Sequence, residues 1–321
     1  MTLIDRPMRQ VRTLLWMLAV VAVPTLATLS TVRMPVAELG ATDNPTPYGY
    51  TVSLLLFIVP VVAIAFWHLR YGNRADKLAF LWCAVLMAGL GAMLDFSFGY
   101  HFFSFPNAAA TLGLRVPAWN WGEMRWMGGY LPIEEFGFYI FGSLFMISVY
   151  LWADQNWLSL YDPDAYHRAA RAHPRVIRFS PTALGLWVVV VSAGILYRYL
   201  HDGGFPGYYV FLMGVGLLPS LLLVRTVKDF VNWQALGFAF GGLVLVSVIW
   251  EPSIALPYGW WAYKSDQMLG IYLHGWANLP VEEISLWLVG VWDAVMFYEL
   301  FRIVMRKEGK IRHRLFGAPP A

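Results

Sequence analysis

One cysteine, Cys83, stands in 321 residues, so the chain can build neither an intramolecular disulfide framework nor a cysteine-based zinc site. Charge is scarce too: Asp, Glu, Lys and Arg make up 13% of the residues while 59% are hydrophobic, too few charges to cover the surface of a soluble fold. The same balance excludes an intrinsically disordered chain. The net charge of +3 is too small for the concentrated basic face of a nucleic-acid binder, and no nucleic acid is expected among the partners. There is no G-x-G-x-x-G run and no P-loop, hence no nucleotide fingerprint. No Asp-rich D-D-x-x-D or N-D-x-x-D run is present to hold magnesium and diphosphate. The seven histidines never form H-x-x-x-H, which argues against a multi-histidine iron site. No metal and no cofactor are therefore expected. What the chain does hold is aromatic: 16 Trp, 17 Tyr and 21 Phe, a load suited to membrane interfaces or to the walls of a hydrophobic cavity.

A spanning helix needs roughly 20 mainly apolar residues. Eight runs meet that need, at about 14–32, 50–69, 78–98, 131–152, 180–200, 207–224, 235–250 and 280–301. The expected fold is an all-α polytopic membrane protein with about eight transmembrane helices. The first run reads as a span rather than a signal peptide, being long enough to cross and lacking a clear small-x-small cleavage site. The basic residues test the count independently. With both termini inside, 18 of the 23 Lys and Arg fall in inner segments, leaving Arg33, Arg115, Arg125, Arg198 and Lys264 outside. The expectation is a multi-pass protein of the cell membrane, surrounded by membrane lipids, with both termini cytoplasmic.

The sequence LPIEE at 131–135 returns as LPVEE at 279–283, a shift of 148 residues. In the helix that follows, Gly142 and Tyr150 match Gly290 and Tyr298, and Pro60 and Pro219 each interrupt an apolar run further upstream. The chain thus reads as two four-helix repeats, 1–153 and 154–321. An even number of spans per repeat makes the two parallel, related by an axis along the membrane normal. Both glutamate pairs then open inward-running helices at the outer interface.

Two readings of those pairs stand side by side. The first is a helix start, with Pro and acids in the first turn facing the helix dipole. The second is a functional carboxyl at membrane depth, where an ionisable group is costly. Consecutive helical residues point about 100° apart, so one Glu of each pair can face the bundle interior while the other faces a neighbour. Asp95 ends the helix before the first pair and Glu251 the helix before the second, so six carboxyls, Asp95, Glu134, Glu135, Glu251, Glu282 and Glu283, are expected to surround one cavity. Replacing Glu134 or Glu282 by Gln is expected to abolish activity and leave insertion intact. Asp293, three turns below Glu282 on nearly the same face, reads as an interhelical hydrogen-bonding group. His101 and His274 read as interface or hydrogen-bonding residues. Of the loop aromatics, most suit an interface belt; Trp126, Trp250, Trp260, Trp261 and Tyr263 are the candidates for cavity walls, where ring faces stabilise a cation.

Trp250-Glu251, Trp260-Trp261, Tyr263, Leu269-Gly270 and Leu279 to Glu283 together resemble the lycopene cyclase domain of the heterodimeric or fused carotenoid β-cyclases. The first half follows less closely, with Leu94 before Asp95 and a longer loop between Leu112-Gly113 and Leu131. Glu251 stands where that family usually has Asp. The likeness covers about six of the eight expected helices. It implies a non-redox isomerisation: an acid protonates the terminal alkene of a linear ψ end group, the neighbouring double bond attacks the tertiary cation, and a base removes a ring proton. The implied substrate is a hydrophobic polyene dissolved in the bilayer, lycopene first, with other carotenoid enzymes as candidate partners. Another isoprenoid cyclase or hydratase, or a proton-coupled transporter, remains an alternative.

Overall fold

The structure, a computed structural model, describes Leu15 and residues 46–316 apart from 121–123, 159–162, 173–176, 178, 179, 308 and 310. In chain order the helices are α1 (Gly49–Tyr71), α2 (Arg74–Phe102), α3 (Ile133–Trp157), α4 (Pro163–Ala172), α5 (Pro181–Asp202), α6 (Gly207–Leu221), α7 (Trp233–Ala255) and α8 (Val281–Arg306). Six of these, all but α4 and α6, are apolar and long enough to cross a membrane, which marks a membrane protein.

Local signals explain where the long helices begin. The Asn73 side chain caps α2 by accepting from Asp76 N (2.9 Å), and Asn232 caps α7 by accepting from Ala235 N (3.1 Å). Ser180 and Pro181 open α5, and Gly203 closes it with φ +73°. α3 and α8 begin directly after Pro132 and Pro280, which occupy the capping position rather than the first helical turn.

Among the described residues, six of the eight expected runs form helices of spanning length. The run 14–32 lies outside the described residues except for Leu15. The run 207–224 is not one long helix: Gly207–Tyr209 passes into π turns over Val210–Gly216 and then a single turn at Leu218–Leu221. Glycines at 214 and 216 weaken the helix and Pro219 removes a donor, so regular hydrogen bonding fails there. The segment still traverses the bundle. Tyr208 meets Glu283 at one end, and Asn232 meets Asp154 at the other.

The fold is mostly helical, as expected, and its strands are short. At the end of the bundle that carries the glutamate pairs, β1 (Phe103–Ser104), β2 (Arg115–Asn120), β3 (Arg125–Pro132), β4 (Ala262–Tyr263), β5 (Tyr272–Leu273) and β6 (Leu279–Pro280) form three antiparallel pairs. β2 pairs with β3 and β5 with β6, while β1 pairs with β4 and so joins the two halves of the chain. Trp287, Val291, Ala294, Val295 and Tyr298 of α8 are fully buried, making it the central helix. Leu186, Val189 and Leu200 of α5 are exposed, as on a helix that faces lipid. α8 packs on α2, where Cys83 Sγ donates to the Ala294 carbonyl oxygen (3.4 Å), and α2 packs on α3, where Gly91 admits the Tyr139 Cβ.

Candidate active site

The site is built from two corners with a common plan. In the first half α2 ends in a π turn at Asp95–Gly99; the chain then passes through β1, a 3-10 turn at Ala108–Ala110, Leu112-Gly113, and the β2–β3 hairpin into α3. In the second half α7 ends in a π turn at Glu251–Ala255, followed by β4, a 3-10 turn at Ser265–Gln267, Leu269-Gly270, and the β5–β6 pair into α8. Gly113 and Gly270 sit at φ +79° and +92°, where an L side chain is strained. Arg115 faces Pro132 across the first hairpin as Tyr272 faces Pro280 across the second. Ile133 N then donates to Leu114 O (3.0 Å), and Val281 N to Ile271 O (3.1 Å).

This plan separates the members of each glutamate pair. Glu134 Oε1 accepts from the Leu112 backbone N–H and from Thr51 Oγ1, both at 2.6 Å. Glu282 Oε1 accepts from the Leu269 backbone N–H in the equivalent way. The first Glu of each pair thus pins its Leu-Gly turn to the helix start through a bond to backbone. The second Glu turns inward. Glu135 and Glu283 line one cavity, walled by Tyr50, Phe103, Phe138, Tyr139, Trp250, Trp261 and Leu286. The cavity is narrow: about 20 Å³ is open to the centre of a water-sized sphere, room for about one water. Anything larger enters only as the aromatic walls turn aside.

Those walls are closely stacked. Trp250 lies 4.9 Å from Trp261 and 5.5 Å from Phe138, and Tyr50 lies 5.1 Å from Trp261, centroid to centroid. Ring faces grouped around two carboxyls can hold a cation while acids move protons on either side of it.

The hydrogen bonds at the two corners are unequal. Tyr50 OH donates to Glu135 (2.6 Å), and Tyr208 OH to Glu283 (3.3 Å). Three donors converge on buried Glu251: Ser247 Oγ at 2.7 Å, Trp287 Nε1 at 2.9 Å and Tyr263 OH at 3.2 Å. Burial above all, then the charges of Glu283 and Glu251, pushes the Tyr263 phenol well above its ordinary value, so it remains a neutral donor. Asp95, at the matching place, is buried, and neither of its oxygens has a hydrogen-bond partner among the described residues.

Several expectations change. Two carboxyls line the cavity, not six; Glu134 and Glu282 face the turns, and Asp95 and Glu251 sit behind the lining. The expected loss on Gln substitution therefore moves to Glu135 and Glu283. Trp250 and Trp261 are cavity walls, but Trp260 lies behind, stacked on Tyr50 with Nε1 donating to Thr46 Oγ1 (3.0 Å), and Tyr263 serves Glu251. Trp126 is 58% exposed on β3 and packs against Trp119 rather than the cavity. Asp293 is buried near Ser220 of α6, at an interhelical position as expected. His274 Nδ1 lies 2.9 Å from Asn278 Oδ1 on the surface.

A second polar cluster at the far end of the bundle has no signature in the sequence. Arg302 pairs with Asp76 (3.0 Å), Glu299 (3.1 Å) and Asp154 (3.2 Å), and Arg306 pairs with Asp76 (2.6 Å). Tyr150 and Tyr166 donate to Glu299, and Asn232 donates to Asp154. These residues come from α2, α3, α4, α7 and α8, so the cluster ties five elements together. Only Glu299 and Arg302, three apart on one helix, were close enough in sequence to suggest a pair. Among the described residues no group of three or more His, Cys, Asp or Glu is arranged to hold a metal ion.

No protein-family model, no curated protein and no solved structure matches this chain.

Proposed function

We propose that the protein is a membrane cyclase that closes the linear ψ end group of a carotenoid, lycopene first, by acid-initiated isomerisation without net redox change. The observation that carries this reading is the pair Glu135 and Glu283, one from each half, on opposite members of a duplicated frame and in one aromatic-walled cavity. Protonation of an alkene, capture of the cation by a neighbouring double bond and loss of a ring proton call for an acid, a cation-tolerant wall and a base. The two corners are assigned a division of labour. Asp95 and Glu135 share one corner in which Asp95 lacks a donor, a setting suited to holding a proton; Glu135 is the acid. At the other corner Glu251 accepts from three donors, and Glu283 beside it is assigned to receive the ring proton. A bilayer-soluble polyene reaches such a site laterally. The resemblance to lycopene cyclase domains supports the same choice.

The test is co-expression with a lycopene-producing pathway, followed by pigment chromatography. Cyclic carotene is expected; unchanged lycopene overturns the reading. A hydratase is the second reading, because the cavity admits about one water, which would trap the cation in place of the double bond. A product heavier by one water would identify it.

The reading places the protein in the cell membrane with both termini cytoplasmic and the cavity at the outer end. Reporter fusions after residues 40, 115, 165 and 321 are expected to read outside, outside, inside and inside. A C-terminus outside breaks the parallel repeat.

A further inference from the structure

An acid and a base on different carboxyls create a bookkeeping problem for turnover. After one ring closes, Glu135 has given up a proton and Glu283 has gained one, so the site stands in the wrong protonation state for the next substrate. The narrow aromatic cavity offers little bulk water to correct it.

We propose that Tyr139 resets the site by passing the proton from Glu283 back to Glu135. This inference rests on the cyclase reading above. Tyr139 lines the same cavity as both glutamates, one turn beyond Glu135 on α3. The duplication makes its identity informative. A shift of 148 residues places Tyr139 on Trp287, just as it places Glu135 on Glu283. Trp287 spends its indole N–H on Glu251 (2.9 Å). An indole only donates, whereas a phenol donates and accepts, so of the two equivalent positions only Tyr139 can take one proton while releasing another. The step balances: the Tyr139 hydroxyl gives its proton to the Glu135 carboxylate and receives the proton of the Glu283 carboxyl, leaving tyrosine unchanged, Glu135 protonated and Glu283 ionised. Tyr50 and Tyr208 each hold a single glutamate and do not span the two.

The experiment uses full-length protein in liposomes with lycopene, comparing the first turnover with the steady state. Tyr139→Phe is expected to form about one ring per protein at near the wild-type rate and then slow at least about 10²-fold, the lower end of what acid–base groups contribute. Tyr139→Trp, which copies the second half and keeps a bulky ring, is expected to stall in the same way. Steady-state turnover of either variant within twofold of wild type overturns the relay. So does an equal fall in the first turnover and the steady state, which marks a role in packing or binding. A wild-type protein that forms no ring at all overturns the cyclase reading itself, a result distinct from both.

Discussion

The two corners of the cavity share a backbone plan and differ in chemistry. Both use a helix that ends in a π turn, a 3-10 turn, a left-handed glycine, a short hairpin and a proline-capped helix carrying two glutamates. Yet Asp95 stands without a hydrogen-bond partner while Glu251 accepts three, and Tyr139 occupies the place of Trp287. What the two corners share is the geometry that aims one carboxyl from each half into a common space. What diverged is the set of donors behind those carboxyls. In the proposed cyclase, a shared frame with unequal donors gives one glutamate the part of the acid and the other the part of the base.

The largest effect is expected where the corners meet. Glu135→Gln and Glu283→Gln each remove a proton-transfer group with little change of shape, and each is expected to lower ring formation by about 10²–10⁴-fold. The assay is purified protein in lycopene liposomes without added flavin or nicotinamide, read by chromatography against wild type. If only one substitution mattered, the two halves would not supply the acid and the base between them. Ring formation that appears only on addition of a reduced flavin would move the acid off these carboxyls altogether.

Much of this comparison was legible in the sequence, and the reasons for the remainder are physical. The repeated LPxEE segment located both corners, and the acids at 95 and 251 were visible because charge inside an apolar run is conspicuous. Which glutamate turns inward was not legible, since it depends on the Leu-Gly turns that claim Glu134 and Glu282 through backbone N–H groups. The far cluster of Asp76, Asp154, Glu299, Arg302 and Arg306 was hidden by distance along the chain and by the expectation that Arg near a span end belongs to an inner loop. The broken segment after residue 207 passes as a span on hydropathy alone, because hydropathy is blind to the hydrogen bonding that glycine and proline disrupt.

A second pair of substitutions sharpens the contrast in donors. Glu251→Gln replaces an oxygen by an amide nitrogen while Ser247, Trp287 and Tyr263 still point donors at it, and a buried donor left unmatched costs about 1–3 kcal/mol. Asp95→Asn breaks no hydrogen bond among the described residues, so its effect on stability is expected to stay below about 1 kcal/mol. Thermal unfolding in detergent measures both. Equal destabilisation by the two would mean that Asp95 is held as firmly as Glu251, and the contrast between the corners would disappear.

The smallest effects test whether the first glutamate of each pair belongs to the frame rather than to the chemistry. Glu134→Gln and Glu282→Gln retain an Oε1 that can still accept from Leu112 N and Thr51 Oγ1 or from Leu269 N, so the turns remain pinned and the loss is confined to the strength of those bonds. Both are expected to keep ring formation within about tenfold of wild type, a difference of about 1.4 kcal/mol. Glu134→Ala and Glu282→Ala remove the acceptor itself and should cost about 0.5–2 kcal/mol of stability, as the loss of a helix cap does. Trp126→Ala, on the exposed face of β3, should change stability by no more than about 0.5 kcal/mol and leave ring formation unaltered. The order among these variants is the informative result. If Glu134→Gln or Glu282→Gln silenced the protein as thoroughly as Glu135→Gln, the turn-facing glutamates would be part of the proton chemistry, and the division of each pair into one structural and one reactive carboxyl would fail.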